Sequence, residues 1–394
     1  MSIRNPFAGW NKNFALLAVA VFSVGYFFAT QITLTNNFLV DRFGIEAHQL
    51  GYVEALRETP GFLNVFFIAL MVHLAPSLVA VVALVLMGLG MSSYAAVNSV
   101  PAIALLSIMW SIGFHCWMPL QQAMALRFSP AGNKGKWLGQ LNSVSSAAWP
   151  IAIGFSLLTF SLFSYEGLFV IAGIITIIGS LPLLLASRQK PAVREKGFIL
   201  KRRYGLYYLL NFLEGCRKQM FVTFAMFALI KIHGMPVNTT MILVLINQLL
   251  LTFVGPLMGR LVDRYGERTM LGVNYLGLIF IFVGYALVQH RPTLYVLYCL
   301  DSLIFFGGIA LTTYLHKIAP EQDLKPTISM GVTINHIAAV VAPLVGGLAW
   351  DYFGYQVIFF SGAVLAVVSL LVTRWVDPEG LLARERTAAL EPAI

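Results

Sequence analysis

Long apolar stretches separated by short polar connections repeat along the whole chain. Most reach the roughly 20 residues that an α-helix needs to cross a bilayer. Twelve such segments lie near 14–36, 48–72, 78–97, 102–126, 137–160, 167–186, 205–232, 238–259, 270–289, 293–315, 327–349 and 356–373. The pattern predicts an all-α integral membrane protein with twelve transmembrane helices.

A single long polar connection, 187–204, separates the first six segments from the last six. The predicted organisation is a bundle over 1–186, a cytoplasmic loop over 187–204, and a second bundle with a short cytoplasmic tail over 205–394. The halves repeat at a spacing near 190 residues: Pro150 and Pro343 each follow a glycine, Gly139 or Gly331, by eleven or twelve positions. Equivalent prolines and small residues in both halves indicate an internal repeat of two six-helix bundles.

The composition supports a membrane protein over a soluble one. Hydrophobic residues make up 58% of the chain and charged residues 11%, against about 25% charge in soluble domains. The three cysteines lie in apolar stretches and suggest neither a disulfide framework nor a zinc site. The first apolar run is too long for a cleavable signal peptide, so we expect it to be retained as the first helix.

The distribution of basic residues predicts the orientation. With the N-terminus inside, 20 of the 26 basic residues are cytoplasmic, three are outside and three are within helices. The cytoplasmic set is Arg4, Lys12, Arg127, Lys134, Lys136, Arg188, Lys190, Arg194, Lys196, Lys201, Arg202, Arg203, Arg260, Arg264, Arg268, Lys317, Lys325, Arg374, Arg384 and Arg386. This asymmetry follows the positive-inside rule and places both termini in the cytoplasm. The net charge of +9 therefore reports topology and contact with anionic lipid; it does not require nucleic acid.

A motif follows the eighth segment. Residues 259–268 read GRLVDRYGER, which resembles the G-x-L-x-D-R-x-G-R-R signature of the major facilitator superfamily. The resemblance implies two six-helix bundles around a central cavity that opens alternately to each side of the membrane. It also implies that Asp263, Arg264 and Arg268 form a cytoplasmic gate. The first-half copy is degenerate, with His73 in place of the aspartate.

Charged residues inside apolar segments are the first candidates for a transport site, because isolated charge in a bilayer is costly. In the seventh segment, Glu214, Arg217 and Lys218 are spaced so that they share one helical face. They either line a cavity or lie near the helix start and snorkel to the cytoplasmic headgroups. In the second segment, Arg57 and Glu58 either serve transport or form a structural ion pair.

The remaining polar candidates lie on segments that the resemblance places around the cavity. Gln31 is on the first, His115 on the fourth, Asp301 on the tenth, and Asn335 and His336 on the eleventh. Cations favour an anionic substrate, and we assign substrate binding to Arg57, Arg217, Lys218, Gln31, His115, Asn335 and His336. Carboxyls that exchange a proton would couple transport to the proton gradient, and we assign this role to Glu58, Glu214 and Asp301.

These observations predict a monomeric secondary transporter of the inner membrane that moves a small, anionic organic solute with protons and needs no cofactor. One alternative is a copper importer, because His115, Cys116, Met118 and Cys216 are ligands that suit Cu(I). Another is a drug/proton exporter, although the fourth segment lacks the arginine that marks those relatives. An enzyme is disfavoured because no nucleophile–base pair stands out: His115 and Cys116 point about 100° apart on a helix.

Overall fold

The computed structural model describes residues 9–71, 74–130, 132–187, 199–304 and 307–380, and these form helices and connections without a strand. The helices are α1 Lys12–Phe43, α2 Ala47–Met71, α3 Pro76–Ser92, α4 Val100–Phe128, α5 Lys134–Ser180, α6 Gly205–Lys231, α7 Val237–Tyr265, α8 Glu267–Leu287, α9 Arg291–Ile304, α10 Gly307–Ile318, α11 Glu321–Phe353 and α12 Gln356–Val372. Short 3₁₀ turns occupy Ser93–Ala96, Leu181–Leu185, Arg202–Tyr204 and Thr373–Trp375. Helical structure covers nearly all of each of the twelve predicted segments.

The correspondence is not one helix to one segment. α5 runs through the fifth and sixth predicted segments, with a break at Ser164, whose φ of 52° lies in the left-handed region. The predicted connection is so short that only this residue leaves the helical conformation. In the other direction, α9 and α10 together cover the tenth predicted segment.

Among the described residues, nine helical stretches are long and apolar enough to cross a membrane. α6 is outside this set because every 18-residue stretch within it contains Glu214, Arg217 and Lys218. A charge-bearing helix of spanning length is what a polar transport path requires. The count of twelve crossings and the cytoplasmic termini remain predictions.

Local sequence explains where α1 begins and ends. The Asn11 side chain accepts a hydrogen bond from the backbone N–H of Phe14 at 2.9 Å, which caps the first turn. Gly44 closes the helix with a φ of 58°, a conformation that favours glycine. α1 therefore continues past the polar residues Asn36 and Asn37, which made the sequence prediction stop at 36.

The helices pack into two compact units. The described residues within Met1–Ile45, Leu56–Val193 and Pro236–Gln248 form the first, in which α1 and α3 pack on α5 and α3 packs on α4. The described residues within Glu46–Ala55, Arg194–Met235 and Leu249–Ile394 form the second, in which α6 packs on α11 and α8 on α12. The exchanged segments, 46–55 and 236–248, begin 190 residues apart, which matches the spacing of the predicted internal repeat.

Within the second unit, the start of α2 lies directly against the end of α11. A Cβ added at Gly347 would lie 2.5 Å from the Ala47 carbonyl oxygen, and one added at Gly51 would collide with the Pro343 carbonyl oxygen. Ion pairs flank this contact: His48 with Asp351, and Lys231 with Glu46 at 2.9 Å. Glycine is therefore required for the backbones to approach this closely.

Gly347→Val is expected to lower the free energy of unfolding by about 1–3 kcal/mol, because its side chain would overlap the α2 backbone. Thermal unfolding of the purified protein measures this effect. Gly272→Val is the matched control, since a Cβ there meets only Leu370 Cδ1 at 3.9 Å. Equal losses of stability in both variants would contradict the close approach.

Candidate functional site

A fully buried ion cluster joins α6 to α9 in the second unit. Arg217 Nη2 donates to Glu214 Oε1 at 2.5 Å, and Arg217 Nη1 donates to Asp301 Oδ1 at 3.3 Å. The side chains of Arg217, Glu214 and Asp301 are 1%, 6% and 9% exposed. The structure thus brings together one residue that we predicted to bind substrate and two that we predicted to exchange protons.

The local sequence explains half of this cluster. Glu214 and Arg217 are three residues apart on α6, so their side chains lie one turn apart on the same face. Asp301 arrives from α9, 84 residues later. Because these groups are buried within the protein, Glu214 and Arg217 do not reach an exposed surface by snorkelling; Lys218 beside them is half-buried.

The charges of the cluster do not balance when all three groups are ionised. Two carboxylates and one guanidinium give a net charge of −1. Buried uncompensated charge is expensive, by several kcal/mol for each ion in real proteins. The cheapest way to neutralise the cluster is to place one proton on one of its carboxyls. The arrangement can therefore bind and release a proton.

Further groups from α8 and α11 surround the cluster. Tyr275 is fully buried and lies close enough to Glu214 and Arg217 to interact with them electrostatically. Asn335 lies against Gly215, where an added Cβ would be 3.1 Å from the Asn335 amide nitrogen and 2.9 Å from Ala338 Cβ. Gly215 thus lets α11 pack tightly beside the charged turn of α6. The sequence analysis missed Tyr275, because a tyrosine in an apolar helix carries no distinguishing signal.

A second polar group lies in the first unit, on α2 and α4. Arg57 and Glu58 form an ion pair at 2.9 Å, and the Arg57 guanidinium lies 5.7 Å from the centre of the Trp110 ring. Ser111 donates to the Arg57 carbonyl oxygen and also contacts His115 Nδ1 at 3.1 Å. The structure therefore links Arg57 and Glu58 to His115 through Ser111. The sequence left open whether this pair is structural or functional, and the geometry is compatible with both.

The other predicted site residues lie apart from these two groups. Gln31 is buried on α1, and His336 is half-buried on α11. Asp263, Arg264 and Arg268 are exposed around the turn from α7 to α8, where Gly266 has a φ of 77°. No ion pair joins Asp263 to another residue in the part of the chain that the structure describes. His73 of the degenerate first-half motif lies outside the described residues.

Two cytoplasm-facing ion pairs of the predicted topology were not anticipated. Glu267, directly after the motif glycine, is buried and pairs with Lys317 at 2.8 Å. Asp323 accepts hydrogen bonds from Lys201 Nζ at 2.6 Å and from the Tyr204 hydroxyl at 2.7 Å. Burial and the bond to Asp323 raise the pKa of Tyr204 to about 12, so this hydroxyl stays a donor at physiological pH. These contacts anchor the end of the connection to α11.

A cavity of about 490 Å³ lies against α10 and is lined by Gly308, Ile309, Thr312, Thr313 and His316. Its size is in the usual range for small-molecule sites. The hydroxyls of Thr312 and Thr313 donate to carbonyls one turn earlier, at 2.8 Å each, and His316 is exposed. The polar stripe is readable from the i, i+4 spacing of Gly308, Thr312 and His316, but the sequence analysis did not use it.

Comparison with known proteins settles the family. The sequence profile of the Major Facilitator Superfamily matches residues 15–314 and 208–392. The chain belongs to the major facilitator superfamily. It is a multi-pass membrane transporter, as the resemblance of residues 259–268 predicted, and members of this superfamily are transporters rather than enzymes.

Relatives and solved structures of the superfamily give similar fold-level information. An uncharacterised MFS-type transporter of Bacillus subtilis (strain 168) is 23% identical over 171 residues, and the class H tetracycline resistance protein of Pasteurella multocida is 24% identical over 138. These matches span 41% and 34% of this chain and 40% and 34% of the relatives.

Structural similarity extends over nearly the whole chain. The nucleoside transporter NupG superposes with a TM-score of 0.75 at 14% identity, covering 92% of this chain and 98% of that one. A bacterial homologue of the human lysosomal transporter Spinster gives 0.75 at 15% identity, covering 95% and 97%. Identities this low show the superfamily fold alone.

Proposed function

We propose that this chain is a proton-coupled secondary transporter of a small organic anion, working as a monomer in a bacterial inner membrane. The predicted bundles, 1–186 and 205–394, would move relative to each other around the 187–204 connection. The observation that carries the proposal is Arg217, buried between Glu214 and Asp301 in a cluster with one negative charge too many.

This charge imbalance supplies a physical basis for coupling. A proton on Asp301 removes one of the two negative partners of Arg217 and leaves part of the guanidinium available to a substrate carboxylate or phosphate. When Asp301 loses that proton, its carboxylate competes with the substrate for the same nitrogen. The anion and the proton therefore bind together and leave together, which is the condition for symport.

The other predicted residues have supporting roles in this proposal. Lys218, Asn335 and His336 lie on or beside the α6–α11 contact and would contribute substrate contacts in the second unit. In the first unit, Arg57, Gln31 and His115 would do the same, and Glu58 would be a further proton-exchanging group. Asp263, Arg264 and Arg268 would form the cytoplasmic gate, as the superfamily motif implies, and no metal is assigned to any of these groups.

A second candidate is a transporter of a neutral polar solute. It is favoured by the α10 cavity, which is lined by Thr312, Thr313 and His316 and by no permanently charged side chain. Hydroxyl and imidazole groups suit a ligand rich in hydrogen-bonding groups, such as a nucleoside or a sugar. The fold similarity to a nucleoside transporter makes uridine a sensible probe.

A thermal-stability screen of the purified wild type at two pH values tests the proposal. The probes are monocarboxylates, dicarboxylates, sugar phosphates, uridine, tetracycline and Cu(I). A ligand at about 100 times its dissociation constant adds roughly 2.7 kcal/mol. We expect an organic anion to stabilise the protein, and more strongly at the lower pH, because a proton on Asp301 makes room for it.

The Asp301→Asn variant sharpens the screen. It mimics the protonated carboxyl, so the same anion is expected to stabilise it equally at both pH values. Stabilisation by uridine but by no anion would favour the neutral-solute transporter, and stabilisation by tetracycline or Cu(I) alone would favour the exporter or copper alternative. Any of these three results would overturn the anionic substrate.

A further inference from the structure

We propose that the Tyr275 hydroxyl holds Glu214 in its ionised form and so directs the coupling proton to Asp301. Tyr275 is a positioning residue in this scheme, since it acts on the proton through Glu214. The inference rests on the proposed function and adds to it the choice between the two carboxyls.

Two unsatisfied groups meet at this point. Glu214 Oε1 is bonded to Arg217, but Glu214 Oε2 is buried and has no hydrogen-bond partner among the described residues. The Tyr275 hydroxyl is likewise buried and makes no hydrogen bond of normal geometry within the described chain, although it lies within electrostatic range of Glu214. A buried acceptor without a donor costs about 1–3 kcal/mol. A single hydrogen bond, direct or through one water, satisfies both groups.

The geometry around Arg217 already separates the two carboxyls. The bond to Glu214 is 2.5 Å long, whereas the bond to Asp301 is 3.3 Å. Charge-assisted hydrogen bonds are short when both partners are ionised and well aligned. Glu214 therefore has the stronger claim on the guanidinium, and a hydroxyl donated to its second oxygen strengthens that claim. Asp301 remains the carboxyl with the weaker support for its charge.

Other titratable groups near the cluster come from each element that packs on α6. They are Lys218 and Cys216 on α6 itself, Tyr285 on α8, Tyr298 and Cys299 on α9, Tyr314, His316 and Lys317 on α10, and His336 on α11. Tyr285 and Tyr298 interact electrostatically with Asp301. α12 contains no titratable residue. Among these, Tyr275 is the group that faces Glu214 with an unsatisfied donor.

Infrared difference spectroscopy during a pH titration of the purified full chain tests this inference with the proton itself as the probe. A protonated carboxyl gives a carbonyl stretching band that is lost when the group ionises. In the wild type we expect one buried-carboxyl band, removed by Asp301→Asn. In Tyr275→Phe we expect a second band from Glu214, and a midpoint that rises by up to about one pH unit, because Glu214 loses a donor that favours its charge.

Two controls distinguish this effect from a structural one. Tyr314→Phe removes the hydroxyl of another buried tyrosine in the second unit and is expected to leave the band and its midpoint unchanged. In a Glu214→Gln background, Tyr275→Phe is expected to change nothing further. Thermal unfolding confirms that each variant is folded.

The outcomes separate the inference from the proposed function. If Asp301→Asn removes the band but Tyr275→Phe leaves both the band and the midpoint as in the wild type, the role of Tyr275 is wrong and the coupling role of Asp301 stands. If the wild type has no titrating buried carboxyl, or if Asp301→Asn leaves the band intact, the proposed function fails and the inference fails with it.

Discussion

Arg217→Leu is expected to abolish transport and to lower the free energy of unfolding by about 3–5 kcal/mol. Removing the guanidinium leaves Glu214 and Asp301 buried together without a cation, and losing one partner of a buried ion pair typically costs this much. Thermal unfolding of the purified variant measures the loss of stability, and uptake into proteoliposomes measures the loss of transport.

A neutral version of the cluster is the matched control. The triple variant Glu214→Gln, Arg217→Met, Asp301→Asn removes every charge together, and replacing a whole buried ion cluster by neutral groups is often harmless to stability. We therefore expect stability close to that of the wild type but no coupled transport. If Arg217→Leu were as stable as the wild type, the three side chains would not be a buried, interacting unit.

Asp301→Asn is expected to uncouple transport from the proton gradient. The asparagine cannot release a proton, so the variant should exchange labelled substrate across the membrane yet fail to accumulate it. Its stability should also depend less on pH. The wild type should lose stability as pH rises, because the excess carboxylate charge appears only when the proton leaves, whereas the variant lacks that charge.

Parallel measurements of counterflow and of thermal unfolding between acidic and alkaline pH check both parts of this prediction. Glu166→Gln is a suitable control, because Glu166 pairs with Arg42 at an exposed position in the first unit. Concentrative uptake by Asp301→Asn at the wild-type level would contradict the coupling role of this carboxyl.

The sequence predicted the local half of the cluster and not the other half. Glu214 and Arg217 could be paired in advance because helical geometry fixes which residues of one helix share a face. Asp301 could be named as a candidate, since charge inside an apolar segment is rare. Its contact with Arg217 could not be predicted, because it depends on how two helices 84 residues apart are packed.

The helix boundaries show the same division. Apolar runs located almost every helix, but they do not report backbone breaks. The fifth and sixth segments are separated by a single non-helical residue, Ser164, where the sequence predicted a longer loop. Pairing of Tyr165 with Asp41 at 2.6 Å and of Glu166 with Arg42 at 2.9 Å ties this short turn to the end of α1. Such long-range support leaves no periodic signal in the sequence.

Superfamily membership could be predicted from residues 259–268, and the substrate could not. The motif lies in a cytoplasmic turn of the predicted topology, far in function from the ligand site, and Asp263 and Arg268 are exposed there. Ligand choice depends instead on groups such as Thr312 and His316, whose residue types are ordinary in any helix. Their meaning depends on the cavity beside them.

Proton movement during uptake tests the central claim most directly. Proteoliposomes containing the wild type, with a pH-sensitive dye inside, receive the anion that stabilises the protein in the thermal screen. We predict that the lumen acidifies as the anion enters, and that Asp301→Asn exchanges the same anion without any change in lumenal pH. Anion uptake by the wild type without acidification, or unchanged acidification by Asp301→Asn, would contradict proton coupling through the buried Glu214–Arg217–Asp301 cluster.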